Sequence, residues 1–214
     1  MIIAKFALVV VIGYLLGSIP FGVLIAKRKG IDVRQYGSGK IGTTNVLRTA
    51  GGRAAAMVFG LDLSKGLLAV VFAGLIIGRD YLVVGGYGLG MLIAQVMAAL
   101  AAIAGHNRSV FLKFQGGRGV ATFFGGLVAL CPIAAILGGE VFIIGSGLTR
   151  FASLASIAAV VSTYGILVPL TIVYGFPIEY LLYALIGTII IIVMHRGNIR
   201  RLMSGRERRL GDKA

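Results

Sequence analysis

The sequence is short of the residue types that enzymes most often use for metal binding and for nucleophilic catalysis. Among its 214 residues are one cysteine, two histidines and seven acidic residues. The single cysteine, Cys131, excludes an internal disulfide and a cysteine-based metal cluster. The histidines and carboxylates form no cluster with metal-ligand spacing, and no Ser-His-Asp set is evident. We therefore expect neither a metal site nor another cofactor.

Charged residues are scarce as well, and their scarcity excludes an ordinary soluble domain. They make up 13% of the chain, whereas soluble domains contain about 25%. Hydrophobic residues make up 58%, and several apolar runs approach or exceed the roughly 20 residues needed to cross a bilayer. The sequence predicts an all-α polytopic membrane protein in which residues 1–214 form a single integral membrane domain.

The apolar runs predict about seven transmembrane helices. They cover residues 2–26, 54–77, 82–104, 120–131, 133–148, 157–173 and 178–194. The first run is too long for a secretory signal peptide and its basic residues follow it, so we interpret it as a retained span. The fourth run is the weakest, because about 12 residues at a rise of 1.5 Å extend only about 18 Å.

The basic residues predict the orientation of these helices. Four segments hold 18 of the 21 lysines and arginines, namely residues 27–53, 105–119, 149–156 and 195–214. With seven spans all four segments lie on the same side, and the positive-inside rule makes that side cytoplasmic. We therefore expect the N-terminus outside and the C-terminus in the cytoplasm. Because the net charge of +14 lies between apolar segments, we expect no nucleic-acid partner.

The cytoplasmic segments also collect glycine, hydroxyl and amide residues, which predicts a polar site on that face. The stretch "GSGKIGTTN" (residues 37–45) departs from the Walker phosphate loop. It matches G-x-G-x-x-G, but that motif requires a preceding strand in a βαβ unit, which a membrane helix does not provide. What remains is a glycine loop whose backbone N–H groups can converge on an anion. The alternative is a flexible loop that only carries positive-inside charge.

A second segment, "FQGGRGVAT", has a similar composition. Gly116, Gly117 and Gly119 surround Arg118 directly before a predicted helix. A helix N-terminus attracts anions through its exposed N–H groups, and a guanidinium offers a planar fork that fits phosphate. The segment therefore predicts a second anion-binding turn.

Two further polar segments lie at span ends. "TRFASLAS" contains Arg150 and Ser153, although a lone serine at this position is more often a helix cap. "HRGNIRRL" places His195 and Asn198 after the last span. The basic residues from 200 to 213 are more typical of an anchor to lipid headgroups, so membrane lipid is an expected partner.

A site that is rich in cations and poor in carboxylates suits anionic substrates. Cys131 lies near the outer surface on the predicted topology, so catalysis would come from orientation and charge stabilisation rather than from a protein nucleophile. Inside the second span, Asp62 and Lys65 are three residues apart and predict a structural ion pair. Glu140 lies mid-span without a partner nearby in the sequence, and no role is assigned to it.

Six motifs together resemble the bacterial acyl-phosphate:glycerol-3-phosphate acyltransferases. In chain order they are "LLGSIPFG", "GSGKIGTTNVLR", "LDLSKG", "GHNRSVFLKFQGGRGVAT", "TRFASLASI" and "HRGNIRRLMSGRE". The resemblance implies a seven-span enzyme of the bacterial cytoplasmic (inner) membrane with its active site facing the cytoplasm. It also implies transfer of a fatty acyl group from acyl phosphate to the 1-hydroxyl of glycerol 3-phosphate, giving lysophosphatidic acid and phosphate without an acyl-enzyme.

The resemblance also assigns site residues by motif. It implies catalytic roles for four residues: Arg118, Ser153, His195 and Asn198. It implies substrate-binding roles for nine others: Ser38, Gly39, Lys40, Thr44, Asn45, Arg48, Gly116, Gly117 and Gly119. Two of these assigned residues depart from the family pattern, because Arg118 replaces a usual lysine and Lys40 a usual asparagine. Outside the assigned set, Ser109 stands in place of a usual proline and Thr43 in place of an alanine.

Two alternatives remain open at the level of sequence. One is a membrane transporter for a phosphorylated or organic anion, although transporters place polar sites near the midplane and often contain internal repeats. The other is a divergent paralogue of low activity, which the two departures would explain. The sequence also leaves the acyl-chain preference and the oligomeric state open.

Overall fold

The computed structural model describes residues 2–212 and, for Tyr87, the backbone only. Within this range it contains ten α-helices, one two-stranded hairpin and a short 3-10 turn at Val110–Leu112. The helices are α1 (Ile2–Ser18), α2 (Phe21–Lys27), α3 (Thr43–Ala50), α4 (Gly52–Ile77), α5 (Met91–Asn107), α6 (Val120–Leu130), α7 (Pro132–Thr149), α8 (Ala152–Tyr174), α9 (Ile178–Met194) and α10 (Arg196–Met203); the strands are β1 (Leu82–Val84) and β2 (Tyr87–Leu89).

Among the described residues, four helical segments are long and apolar enough to cross a membrane. They are Ile2–Lys27, Gly52–Ile77, Pro132–Thr149 and Ala152–Tyr174. A fifth is obtained if α9 and α10, which meet at a bend of 60°, count as one span. Helices α5 and α6 are apolar but shorter. The prediction of a multi-pass helical membrane protein is confirmed, whereas the count of seven spans stays a prediction.

Two predicted boundaries were wrong. The third apolar run begins at residue 82, but its first residues form the β1–β2 hairpin and the helix begins at Met91. Gly85 and Gly86 both adopt positive φ (57° and 84°), which is the backbone of a tight hairpin turn. Helix α8 begins at Ala152, five residues earlier than predicted. The first predicted span is confirmed as one apolar segment, Ile2–Lys27, with a short break between α1 and α2.

Small residues bring the helices close together in the interior. A Cβ atom on Gly13 or Gly17 of α1 would overlap the backbone of α5. On α4, Gly66 lies equally close to the backbone of Thr122 in α6. Small residues at such contacts are typical of helix packing in membranes, where backbones approach because no bulky side chain separates them. The close contact between α4 and α6 fixes where the polar turn before α6 can lie.

The predicted ion pair inside α4 is confirmed. The Nζ of Lys65 lies 2.7 Å from Oδ1 of Asp62, and each side chain is only 2% exposed. Glu140, in contrast, lies on the exposed face of α7.

Candidate active site

Two cavities lie side by side where the loop before α3, the loop before α6 and helix α10 meet. The larger has a volume of about 510 Å³, and the smaller about 150 Å³. Four side chains line both cavities: Ser38, Lys40, Arg48 and Arg118. The sequence-predicted polar segments therefore come together as expected, and they form the boundary between two compartments.

The two cavities differ in chemical character. Seven cations line the larger one against a single carboxylate, Glu207; the cations are Lys40, Arg48, Arg108, Arg118, Arg196, Arg201 and Arg208. The smaller cavity is lined in part by the apolar side chains of Phe59, Val120 and Phe142. An anionic, water-soluble ligand matches the first compartment, and a ligand with an apolar portion matches the second.

Asn45 holds the glycine loop in shape. Its side-chain Nδ2 donates to the carbonyls of Val33 (2.8 Å) and Lys40 (2.9 Å). Its Oδ1 accepts a hydrogen bond from the backbone N–H of Ser38 at 3.0 Å. We predicted a substrate contact for Asn45, but its amide is engaged in organising the loop that carries Ser38 and Lys40.

Arg118 projects from a glycine turn that packs against the end of α5. The N–H of Gly117 donates to the carbonyl of His106 at 3.0 Å. Gly119 adopts φ of +80° directly before α6, a conformation that disfavours residues with a side chain. Burial lowers the pKa of Arg118 to about 10, so the guanidinium stays charged at neutral pH. Burial, followed by the charge of Arg118, also lowers the pKa of Lys40.

His195 occupies the bend between α9 and α10. Its Nδ1 lies 2.8 Å from the carbonyl of Ile191. Because a carbonyl only accepts, Nδ1 carries the proton and Nε2 of the neutral ring is left as an acceptor. Burial and the nearby charge of Arg118 lower the pKa of His195 to about 4. The imidazole is therefore neutral at physiological pH.

The C-terminal tail folds back onto the site through Glu207. Its Oε1 accepts hydrogen bonds from Asn198 Nδ2 (2.6 Å) and Ser153 Oγ (2.9 Å), and its Oε2 pairs with Arg201 Nε at 2.8 Å. Burial alone would raise the pKa of Glu207, but the hydrogen bonds from Asn198, Ser153 and Arg201 outweigh it and lower that pKa. The carboxylate is therefore ionised and holds two of the predicted catalytic side chains in place.

The tail also has a role that the prediction of a lipid-headgroup anchor did not include, because part of it folds over the site. Arg48 Nη2 donates to the carbonyls of residues 208 and 209 at 3.2 and 3.1 Å. The backbone of Leu210 exchanges hydrogen bonds with Arg150, from its N–H to the Arg150 carbonyl at 2.6 Å and from Arg150 Nη2 to its carbonyl at 3.0 Å. Residues 207–210 thus cover part of the site, and Lys213 lies outside the described residues.

Most of the predicted site residues line at least one cavity. Those lining the larger cavity include Ser38, Lys40, Arg48, Gly116, Arg118 and Asn198; those lining the smaller include Thr44, Asn45, Gly119 and His195. Gly39, Gly117 and Ser153, all within the described part of the chain, line neither cavity. Gly117 lies against His106, and Ser153 reaches the site through Glu207.

Sequence reasoning missed two groups of residues at the site. The first is Glu207, whose role depends on a tail fold that no local pattern indicates. The second is His106 as a partner of the predicted Asp62–Lys65 pair, from which 41 residues or more of sequence separate it. The signal that could have joined them is their shared intramembrane polarity, because a polar side chain in a span seeks a polar partner.

Comparison with known proteins identifies the family. The profile of the glycerol-3-phosphate acyltransferase family matches residues 7–205. Glycerol-3-phosphate acyltransferase 3 of Dehalococcoides mccartyi (strain CBDB1) is 60% identical over the full length of both chains. The glycerol-3-phosphate acyltransferase of Halalkalibacterium halodurans is 41% identical over 96% of each chain.

Two solved structures share the fold. Both are crystal structures of PlsY (YgiH), an integral membrane glycerol 3-phosphate acyltransferase. The glycerol 3-phosphate form is 38% identical, with a TM-score of 0.83 and 96% coverage of each chain. The lysophosphatidic acid form is 37% identical, with a TM-score of 0.81, and covers 96% of this chain and 95% of that one.

These matches confirm the resemblance that the six motifs indicated and leave the transporter alternative without support. The family profile covers every polar segment of the site up to residue 205, and the 60% identical relative aligns over the whole chain, including Glu207. The chain therefore belongs to the glycerol-3-phosphate acyltransferase family and is an integral membrane acyltransferase.

Proposed function

We propose that the protein transfers a fatty acyl group from acyl phosphate to the 1-hydroxyl of glycerol 3-phosphate. The products are lysophosphatidic acid and inorganic phosphate. One observation carries the donor assignment: a polar and a partly apolar cavity share a boundary of Ser38, Lys40, Arg48 and Arg118. An acyl phosphate needs both environments, because its phosphate requires cations and donors while its chain requires an apolar surface.

The larger cavity fits the acceptor. Its excess of cations suits a phosphate monoester, and guanidinium groups bind phosphate through a bidentate fork. Solved relatives in a glycerol 3-phosphate form and a lysophosphatidic acid form support an acceptor and a product of this kind. Arg48 and Asn198 on its wall are the residues we assign to the acceptor phosphate and glycerol.

The donor makes a protein nucleophile unnecessary. An acyl phosphate is a mixed anhydride and is already activated for attack. The oxygen of the 1-hydroxyl attacks the acyl carbon, and the bond from that carbon to the bridging oxygen breaks. Inorganic phosphate leaves and takes the hydroxyl proton. The protein contributes by holding both substrates in register and by stabilising the developing charge.

Arg118 and His195 have distinct roles in this scheme. The charged guanidinium of Arg118 neutralises the phosphate of the donor as negative charge builds on the leaving group. The neutral imidazole of His195 accepts a hydrogen bond at Nε2 from the 2-hydroxyl of glycerol 3-phosphate and so orients the neighbouring 1-hydroxyl toward the acyl carbon, leaving its proton for the departing phosphate. A pKa of about 4 keeps His195 in this acceptor form across the physiological range.

We further propose the seven-span topology in a bacterial cytoplasmic membrane, with the site facing the cytoplasm. Helix α6 has 11 residues and therefore extends about 16 Å, roughly half of a hydrocarbon core of about 30 Å. On this topology the glycine turn before α6 lies recessed below the cytoplasmic membrane surface. From this depth Arg118 can bind the phosphate of acyl phosphate while the attached acyl chain lies between the helices.

The test is a donor comparison with purified protein. Radiolabelled glycerol 3-phosphate is supplied with acyl phosphate, acyl-CoA or acyl carrier protein, and lysophosphatidic acid is measured. We expect product with acyl phosphate alone. Product from acyl-CoA but none from acyl phosphate would contradict the donor assignment, and failure of all three donors would identify a paralogue without this activity.

A further inference from the structure

Three ionisable side chains meet in the helix interior directly behind the glycine turn. Lys65 Nζ lies 2.7 Å from Asp62 Oδ1. His106 Nδ1 lies 3.5 Å from Lys65 Nζ and 3.6 Å from Asp62 Oδ1. All three side chains are at most 4% exposed. The cluster therefore joins α4 to the end of α5 through charge and hydrogen bonding.

Stability alone does not account for such a cluster. Replacing a buried ion pair by well-packed apolar residues is often neutral or stabilising, because two charges lose their hydration when they are buried. Inside a membrane the same charges are costly, and they mark functional positions by default. Asp62 and His106 line part of the smaller cavity, but the proposed mechanism assigns none of the three residues a chemical role, so their charges need another reason.

The cluster contacts the Arg118 turn from both sides. Before Arg118, the N–H of Gly117 donates to the carbonyl of His106 at 3.0 Å, and a Cβ on Gly117 would overlap the His106 ring. After Arg118, the hydroxyl of Thr122 in the first turn of α6 donates to the carbonyl of Asp62 at 3.1 Å. Gly117, directly before Arg118, and Thr122, four residues after it, are thus bonded to the backbone carbonyls of His106 and Asp62, and Gly117 also lies against the His106 ring.

We infer that Asp62, Lys65 and His106 are positioning residues for Arg118. The ion pair fixes the imidazole of His106, the imidazole sets the position of Gly117, and the turn then aims the guanidinium at the substrate phosphate. Because Arg118 is longer than a lysine and planar, its productive geometry depends on where the turn begins. This inference rests on the proposed function, since its main readout is acyl transfer.

A double-mutant cycle separates positioning from a general structural role. The variants are His106→Gln, Arg118→Ala and the combination, with kcat and KM measured for both substrates. If His106 acts through Arg118, we expect His106→Gln to lower kcat/KM at least about 10-fold in the parent and less than about 3-fold once Arg118 is already alanine. Equal losses in the two backgrounds would overturn the inference.

The charge pair is tested in the same way. The double variant Asp62→Asn/Lys65→Met removes both charges and leaves no lone buried ion, so it keeps the protein folded where a single change would not. Thermal unfolding in detergent confirms the folded fraction. We expect the double variant to be folded and to have a reduced kcat. The single variant Lys65→Arg keeps Asp62 and a cation at position 65, so it should retain more activity than the double variant. Full activity of the folded double variant would contradict the proposal.

A matched control is available at the opposite end of the bundle. Lys5 Nζ and Asp80 Oδ2 form an exposed ion pair at 2.6 Å, and neither residue lines either cavity. Asp80→Asn removes a charge pair without touching the turn, and we expect kcat/KM to stay within about twofold of the parent. A loss like that of the Asp62 variant would mean that activity follows charge pairing in general.

A binding readout keeps the inference independent of the donor. Isothermal titration of inorganic phosphate needs no acyl phosphate, so it reports on the turn even where the proposed reaction fails. We expect His106→Gln to weaken phosphate binding several-fold only while Arg118 is present. If phosphate binding is unchanged by His106→Gln and the parent forms lysophosphatidic acid, the positioning role is wrong while the proposed function stands.

Discussion

The carboxylate of Glu207 accepts a hydrogen bond from the hydroxyl of Ser153 at 2.9 Å, across 54 residues of sequence. This contact joins the C-terminal tail to the first turn of α8. The same oxygen also accepts from Asn198, so one carboxylate orders two residues that the family motifs assign to catalysis. The tail is therefore part of the site and not an appendage to it.

Replacing Glu207 tests this role. In Glu207→Ala, the donors on Ser153, Asn198 and Arg201 lose their acceptor, and a hydrogen bond to a charged group is worth roughly 1.5–3 kcal/mol. We expect kcat/KM to fall at least about 10-fold and the melting temperature to drop. Glu207→Gln keeps an acceptor oxygen and should lose less. Equal activity of Glu207→Ala and the parent would assign the tail no part in the site.

The cation at position 118 is tested by a pair of substitutions. Arg118→Ala removes a charge-assisted hydrogen bond to phosphate worth roughly 1.5–3 kcal/mol, which corresponds to a loss of about 10- to 200-fold in kcat/KM. Arg118→Lys keeps the charge and restores the family residue, so it should retain more activity than Arg118→Ala. If Arg118→Ala is as active as the parent, the turn is only structural and Lys40 becomes the candidate cation.

The titration of His195 gives a prediction about pH. The folded pKa of about 4 lies below the unfolded value of about 6.5, so His195 contributes stability that declines as pH falls from about 6.5 toward 4. NMR of histidine-labelled protein follows the ring directly, and His106→Gln assigns the remaining signal. We expect an inflection near pH 4. An inflection near 6.5 would mean a solvated ring without the proposed neutral role.

How far the sequence determines this structure varies from element to element. The helical membrane class follows from apolar runs, because only helices satisfy their backbone hydrogen bonds within one segment. The β1–β2 hairpin was missed because Leu82–Val84 is as apolar as a helix, and only Gly85 and Gly86 signal the turn. Glycine has a hydropathy close to zero, so these two residues change the average of the apolar run very little and did not interrupt the predicted span.

The residues of the site also divide into those that the local sequence indicates and those that only the fold brings together. The glycine loop of residues 37–45 and the Arg118 turn were predicted from local composition, since glycine and cations on one face indicate an anion site without any fold. The roles of Ser38 and Arg48 were implied by the resemblance of their motif to the family. The contact of Glu207 with Ser153 could not be found, because it depends on the path of a tail that carries mostly surface-like charge. Asn45 was assigned to substrate binding by the resemblance of its motif, whereas the hydrogen bonds it makes to the loop appear only in three dimensions.

The proposed orientation is open to a labelling experiment. In a Cys131→Ala background, single cysteines are placed by Arg53→Cys, Ser204→Cys and Asp80→Cys, all at exposed positions. An impermeant thiol reagent applied to intact cells should label only the Asp80→Cys protein, because positive-inside topology places the other two in the cytoplasm. Labelling of Arg53→Cys from outside would reverse the orientation.

The central claim is that acyl phosphate and glycerol 3-phosphate occupy adjoining cavities and react without an acyl-enzyme. Intact-protein mass spectrometry after incubation with acyl phosphate alone tests it most directly, with Cys131→Ala as the control for incidental thiol acylation. The account predicts that the protein mass stays unchanged and that both proteins form lysophosphatidic acid once glycerol 3-phosphate is added. A stoichiometric acyl adduct that disappears on adding glycerol 3-phosphate would contradict direct transfer.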